Sequence, residues 1–130
     1  MWIANARDYT QRPEVVEALF HMWHFTGEQR WRDVGWRMFE AMDAQTRVPG
    51  AGYASVVSVD VQPVVLEDTQ QSFFIAEELK YFLLLFSPRN SVLDMERWIL
   101  NTEAHPLPRF TPRINSTLGD VCTGAPMVCV

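Results

Sequence analysis

The octapeptide Asn101-Thr102-Glu103-Ala104-His105-Pro106-Leu107-Pro108 sets a hydroxyl, a carboxylate and an imidazole against a proline stop. Thr102 can offer its hydroxyl and carbonyl oxygens to a hard cation, and Glu103 can order that cation's waters. Alone this is a weak calcium signal. Upstream, Arg12-Pro13-Glu14 places a carboxylate in the first turn of a helix, where unpaired backbone donors and the helix dipole favour negative charge. That suits a general base, and it equally suits ordinary helix-start chemistry.

Glu17 lies one turn further along the same face, where it could share a substrate or a water with Glu14 or simply face solvent. His21 and His24 extend this stripe. With Glu17 four residues before His21 they imitate a metal-binding helix face, yet no third and fourth ligand is spaced to complete a transition-metal site. Phe73 and Glu77, at i and i+4, set an aromatic ring beside an acid in an otherwise apolar helix. Proteins hold sugars this way, stacking the C–H face of the ring on the aromatic while its hydroxyls find acceptors. A core phenylalanine beside a paired glutamate would read the same.

The elements that must position these residues follow from the pattern. Residues 13–27 begin with a proline suited to a first helical turn and end in Thr26-Gly27, a helix stop. Residues 28–46 carry apolar side chains at helical spacing, so the two helices should form a hairpin turning at Gly27. After the breakers Val48-Pro49-Gly50-Ala51-Gly52, the β-branched alternation of 53–59 predicts one short strand. A loop through Pro63 and Asp68 leads to a third helix over 70–87, apolar nearly all round and in need of cover on every side. Residues 89–95 read as a turn, 97–100 as a short strand, and the proline-spaced tail after Pro106 as irregular. Two helices and two short strands cover only part of the third helix, so partner helices are expected outside this chain.

Composition narrows the function. The chain has 130 residues, 48% of them hydrophobic and 12% aromatic, enough for one globular domain. A net charge of -5 argues against nucleic acid or an anionic membrane as partner. The two cysteines, Cys122 and Cys129, match no common zinc spacing. Residues 1–10 lack the apolar core of a signal peptide, and no run of about 18 apolar residues occurs, so a soluble chain with no address is expected. Asn115-Ser116-Thr117 is an N-glycosylation sequon that matters only in the secretory pathway.

Taken in order, the segments RPEVVEALFHMWHFTGEQRWRDVGWRMFEAM, GYASVVSVD, SFFIAEELKYFLLLFS and NTEAHPLP resemble the C-terminal part of the class I α-1,2-mannosidases, glycoside hydrolase family 47. The resemblance spans residues 9–108. It implies a mainly α fold, part of an (α/α)7 barrel with short β-strands that is incomplete here. Residues 1–108 would be the C-terminal part of the catalytic domain and 109–130 an irregular tail. It further implies a calcium-dependent inverting glycosidase trimming high-mannose N-glycans, a monomer when complete, working in the endoplasmic reticulum or Golgi or secreted.

By position, Arg12 resembles the family's substrate-binding arginine and Glu14 the base that activates water. Glu17, Phe73 and Glu77 resemble pocket residues around the terminal mannose, Phe73 lying under the ring. Thr102 resembles the direct protein ligand of Ca2+, and Glu103 a residue holding calcium-bound water. The general acid belongs to the N-terminal half of the barrel, which this chain lacks, so the expectation is a fragment inactive by itself. Gln11, Gln71 and Glu78 depart from the family pattern, which usually has an apolar residue, an acid and a threonine at those positions. Two other readings stand beside this one: a non-catalytic mannose-glycan-binding module of glycoprotein quality control, and a helical interaction scaffold with no sugar site.

Overall fold

Pro13 opens the first helix, α1 (Glu14–Thr26), since its missing N–H and preset φ cost nothing at a helix start. Gly27 closes it with φ +71° while its N–H reaches the Trp23 carbonyl, a left-handed stop that a side chain would strain. Beyond Glu28, the second helix α2 (Gln29–Thr46) folds back on α1, as the breaker at Gly27 leads one to expect. The structure is a computed structural model that describes residues 7–110.

Midway along α2 sits Gly35, where a Cβ would run into the Leu85 side chain and come within 3.8 Å of Leu19 Cδ1. Glycine there costs about 1 kcal/mol of helix propensity, and it lets three helices meet at one point.

The third helix differs from expectation in its first turn. Phe74–Glu78 form a π-helical turn, with the Leu79 N–H bonded to the Phe74 carbonyl, before the helix continues as α3 (Leu79–Phe86). A π turn is wider and puts less rotation between successive side chains, and here both Glu77 and Glu78 are buried. Val16, Leu19, Phe20 and Trp23 of α1 pack with Phe74, Tyr81, Phe82, Leu84 and Leu85, and Met42 of α2 completes this core. Cover stops there. Ile75 and Leu83 of the third helix remain 63% and 55% exposed, and Phe25 of α1 78%, an apolar outer face left open as its pattern implies.

The single strand expected over 53–59 is broken in two. Gly52–Tyr53 (β2) pairs antiparallel with Arg47–Val48 (β1), whereas Ser55–Val56 (β3) pairs with Leu66–Glu67 (β4). Between them the Ala54 N–H turns back to the Thr46 carbonyl at 2.8 Å, and Val57 and Val59 are exposed. Alternation marks extended backbone but does not name its partner, and here the partner changes at Ala54. Tyr9 adds an antiparallel bridge to Val56.

Trp98–Leu100 (β5) forms the expected short strand, and Pro106–Pro108 (β6), read from sequence as irregular, pairs with it in the register Trp98↔Pro108, Ile99↔Leu107 and Leu100↔Pro106. A two-stranded ribbon tolerates these prolines because each strand has a free edge where an N–H is not needed. The octapeptide is therefore the turn and returning arm of a β-hairpin. Cys122, Cys129 and Asn115 lie outside the described residues, as does the tail from 111 onward. The described part is mainly helical with three two-stranded pieces. Among the described residues no helix is long and apolar enough to cross a membrane.

Candidate functional site

Four carboxylates from three elements converge. Glu14 and Glu17 leave the first turn of α1, Glu77 leaves the π turn, and Glu103 leaves the tip of the β5–β6 hairpin. Glu77 is only 6% exposed. Its carboxyl is pushed above the usual range, first by burial, then by Glu103, with which it shares a hydrogen bond, then by Glu17 and Glu14.

A neutral donor faces Glu17 and Glu77. The Tyr81 hydroxyl, one turn beyond Glu77, donates to Glu17 Oε1 at 3.1 Å. Burial raises the Tyr81 phenol well above its ordinary value, and Glu17 and Glu77 push it further, so it stays a donor across the physiological range. Sequence reasoning passed over Tyr81, although its i+4 spacing from Glu77 was there to be read.

The hairpin tip is held by one side chain. Asn101 Oδ1 accepts the N–H groups of Glu103 and His105 at 3.0 and 2.7 Å, and the Ala104 N–H donates to the Asn101 carbonyl at 2.9 Å. Lys80 Nζ donates to the carbonyl of buried Ala104 at 2.8 Å, fastening the tip to α3. Thr102 is exposed at this tip, and among the described residues no hydrogen bond takes its hydroxyl or carbonyl oxygen. Arg12 is exposed beside Pro13 and enters no ion pair among the described residues. Phe73 is half-buried at the entry to the π turn. The fold thus brings Glu14, Glu17 and Glu103 close enough to act on Glu77 despite their repulsion, while Arg12, Phe73 and Thr102 adjoin them along the backbone without a bond to them.

The histidine stripe is packing. His21 stacks on Phe25 with ring centroids 6.1 Å apart and faces Tyr81 at 6.2 Å, and the His24 pKa is lowered by burial, then Arg89, then His21. Among the described residues no group of three His, Cys, Asp or Glu could hold a metal ion. A cation at the hairpin tip would therefore rest on the oxygens of Thr102 and on water rather than on a carboxylate cage. A hollow of about 410 Å³ lies elsewhere, between α2 and Phe86, and includes none of these acids. The site is placed by its chemistry rather than by this hollow.

Residues 2–109 match the sequence model of Glycosyl hydrolase family 47. The chain is 44% identical over 102 residues to the human endoplasmic reticulum mannosyl-oligosaccharide 1,2-alpha-mannosidase, covering 78% of this chain and 15% of that protein. To the mannosyl-oligosaccharide 1,2-alpha-mannosidase IA of Sus scrofa it is 46% identical over 110 residues, 85% of this chain and 16% of the relative. The IB enzyme of Mus musculus gives 46% over 110 residues, 85% of this chain and 17% of the relative. The chain spans about one sixth of the length of the curated relatives it matches.

Proposed function

Because the chain belongs to glycosyl hydrolase family 47, we propose that it forms the general-base and calcium side of an inverting mannosyl-oligosaccharide 1,2-alpha-mannosidase, within an (α/α)7 barrel whose remainder it does not carry. The observation that supports this is the convergence of Glu14, Glu17 and Glu103 on Glu77, with the Tyr81 hydroxyl donating to Glu17. Inversion uses one carboxylate to activate water and an acid across the glycosidic bond. Glu14 is the base: exposed at the first turn of α1, it can accept a proton from a water approaching the anomeric carbon. Glu17 and Glu77 accept hydroxyls of the terminal mannose, Phe73 stacks beneath its ring, and Arg12 binds substrate oxygens. The general acid comes from the part of the barrel outside this chain.

Free oxygens on Thr102 beside a surplus of negative charge fit a hard cation. When bound, calcium would supply a centre that draws in sugar hydroxyls; Thr102 would hold it through its hydroxyl and carbonyl oxygens, and Glu103 would order its waters. The substrate is a high-mannose N-glycan, which places the whole protein in the secretory pathway, in the endoplasmic reticulum or Golgi, or outside the cell.

The test has two arms. The 130-residue chain alone should not turn over an α-1,2-linked mannobiose, whereas joined to the rest of a family 47 domain it should release mannose with inverted configuration, calcium-dependently, and lose this in Glu14→Gln. Turnover by the isolated chain would sink the half-site assignment. Glycan binding without hydrolysis in the joined protein would instead favour a mannose-binding module.

A further inference from the structure

We propose that Glu78 is a positioning residue for the Arg12–Glu14 end of α1: its buried carboxyl holds the Tyr9–Gln11 segment against the third helix. The proposal rests on the reading of Glu14 as the base, and it concerns a residue that the mechanism above does not use.

Glu78 is fully buried, and its Oε1 accepts the Tyr9 hydroxyl. Among the described residues its second oxygen, Oε2, has no partner. Tyr9 is itself clamped, donating its N–H to the Val56 carbonyl at 3.0 Å and accepting the Val56 N–H at 2.8 Å. Two residues on, Gln11 is also fully buried, and its Oε1 accepts the Gln71 N–H at 2.9 Å while its Nε2 stands unpaired. Gln11 has φ +60°, a left-handed conformation that a non-glycine residue holds only when its surroundings enforce it.

The backbone therefore turns at Gln11, itself the second side-chain anchor after Tyr9, and emerges at Arg12-Pro13-Glu14. Loosening either anchor moves the residues that carry the proposed chemistry. A glutamate suits this place for a reason beyond shape. Among the described residues, the titratable groups acting on Glu78 are Tyr9 from the N-terminal segment and Glu14 from α1. Its carboxyl is raised to about 7, chiefly by burial, with the Tyr9 hydrogen bond drawing it down and the charge of Glu14 pushing it up. Glu14 and Glu78 thus repel when both are charged, and a proton on Glu78 relieves that repulsion.

The experiment follows backbone amide resonances of the full chain by NMR across the neutral range, without calcium or sugar, in the native sequence, Glu78→Gln and Tyr9→Phe. The Arg12 and Glu14 amides should show a step with its midpoint at about 7 in the native chain. That step should vanish in Glu78→Gln and move to higher pH in Tyr9→Phe, which loses the bond favouring the charged carboxylate. In Tyr9→Phe the Tyr9–Val56 bridge should also lose about tenfold of its hydrogen-exchange protection. A step that survives Glu78→Gln, or protection unchanged in Tyr9→Phe, would overturn the proposal. If Glu78→Gln does not fold, the midpoint shift in Tyr9→Phe still decides it. Absence of calcium or mannose binding would defeat the mannosidase reading alone and leave these steps in place.

Discussion

The Tyr81 hydroxyl donates to Glu17 across the seam between α3 and α1, at 3.1 Å, with Glu77 also beside it. Tyr81 is 1% exposed, so its ring anchors the core while its hydroxyl reaches the site. Tyr81→Phe keeps the ring and removes the donor, leaving Glu17 with its like-charged neighbours. A hydrogen bond to a charged group is worth about 1.5 to 3 kcal/mol, and partial solvation of Glu17 puts the expected loss at the lower end. Urea unfolding should show a lower midpoint at an unchanged slope.

The three tyrosines of the chain should all resist ionisation. Tyr9 and Tyr81 are raised above 10.0 first by burial and then by Glu78 and Glu17 respectively, and Tyr53 first by its hydrogen bond to Asp43. A phenol whose folded value exceeds its unfolded value contributes stability that is fully present below the unfolded value and lost as pH rises past it. The unfolded chain ionises these groups near 10, so stability should fall above that pH. Tyrosinate absorbance should rise in one cooperative step together with loss of helical circular dichroism. Ordinary titration near 10 in the folded chain would contradict the buried placement of Tyr9 and Tyr81.

Local chemistry was readable and long-range pairing was not. Pro13 and Gly27 bound α1 because proline and glycine act on their own backbone, so both ends follow from the sequence. The change of partner at Ala54 depends on Thr46 and on Leu66–Glu67, residues whose placement no local pattern contains. The strand character of Pro106–Pro108 depends likewise on Trp98–Leu100, and composition pointed the other way. The π turn escapes a reading that assumes one helical period, and it buries Glu78 next to Glu77. Within the site, the acids were found as separate motifs, each with an innocent reading. Their convergence belongs to the tertiary structure, and so does the part played by Tyr81.

Gly35→Ala tests the three-helix crossing. The added methyl would overlap the Leu85 side chain, and Leu85 is fully buried with little room to turn aside. Alanine favours the helix by about 1 kcal/mol, whereas overpacking of this kind costs about 1 to 3 kcal/mol, so the net effect should be destabilising. Leu85→Ala in the same chain opens space and should recover the overpacking part of the loss. A double-mutant cycle on thermal unfolding reads this coupling, and additive effects would mean that α2 does not cross α3 at Gly35.

Glu77→Gln should separate stability from cation binding. Glu77 loses solvation on folding and meets Glu103, Glu17 and Glu14, so its folded value lies above the unfolded 4.5. Its contribution to folding is therefore fully present below that pH and fades as pH rises through its raised value. Glutamine removes both the repulsion and the slope, and at neutral pH without calcium the variant should be more stable by about 1 kcal/mol, as when a charge is deleted from a strained functional site. The same change removes negative charge from beside Glu103, so added calcium should raise the melting temperature of the native chain and raise that of Glu77→Gln less. Thr102→Ala should abolish the calcium response while leaving the acid slope of the native chain intact, because Thr102 is exposed and outside the carboxylate network. A calcium response that persists in Thr102→Ala would place the cation elsewhere on the chain, and an unchanged acid slope in Glu77→Gln would mean that the buried carboxyl is not the one under strain.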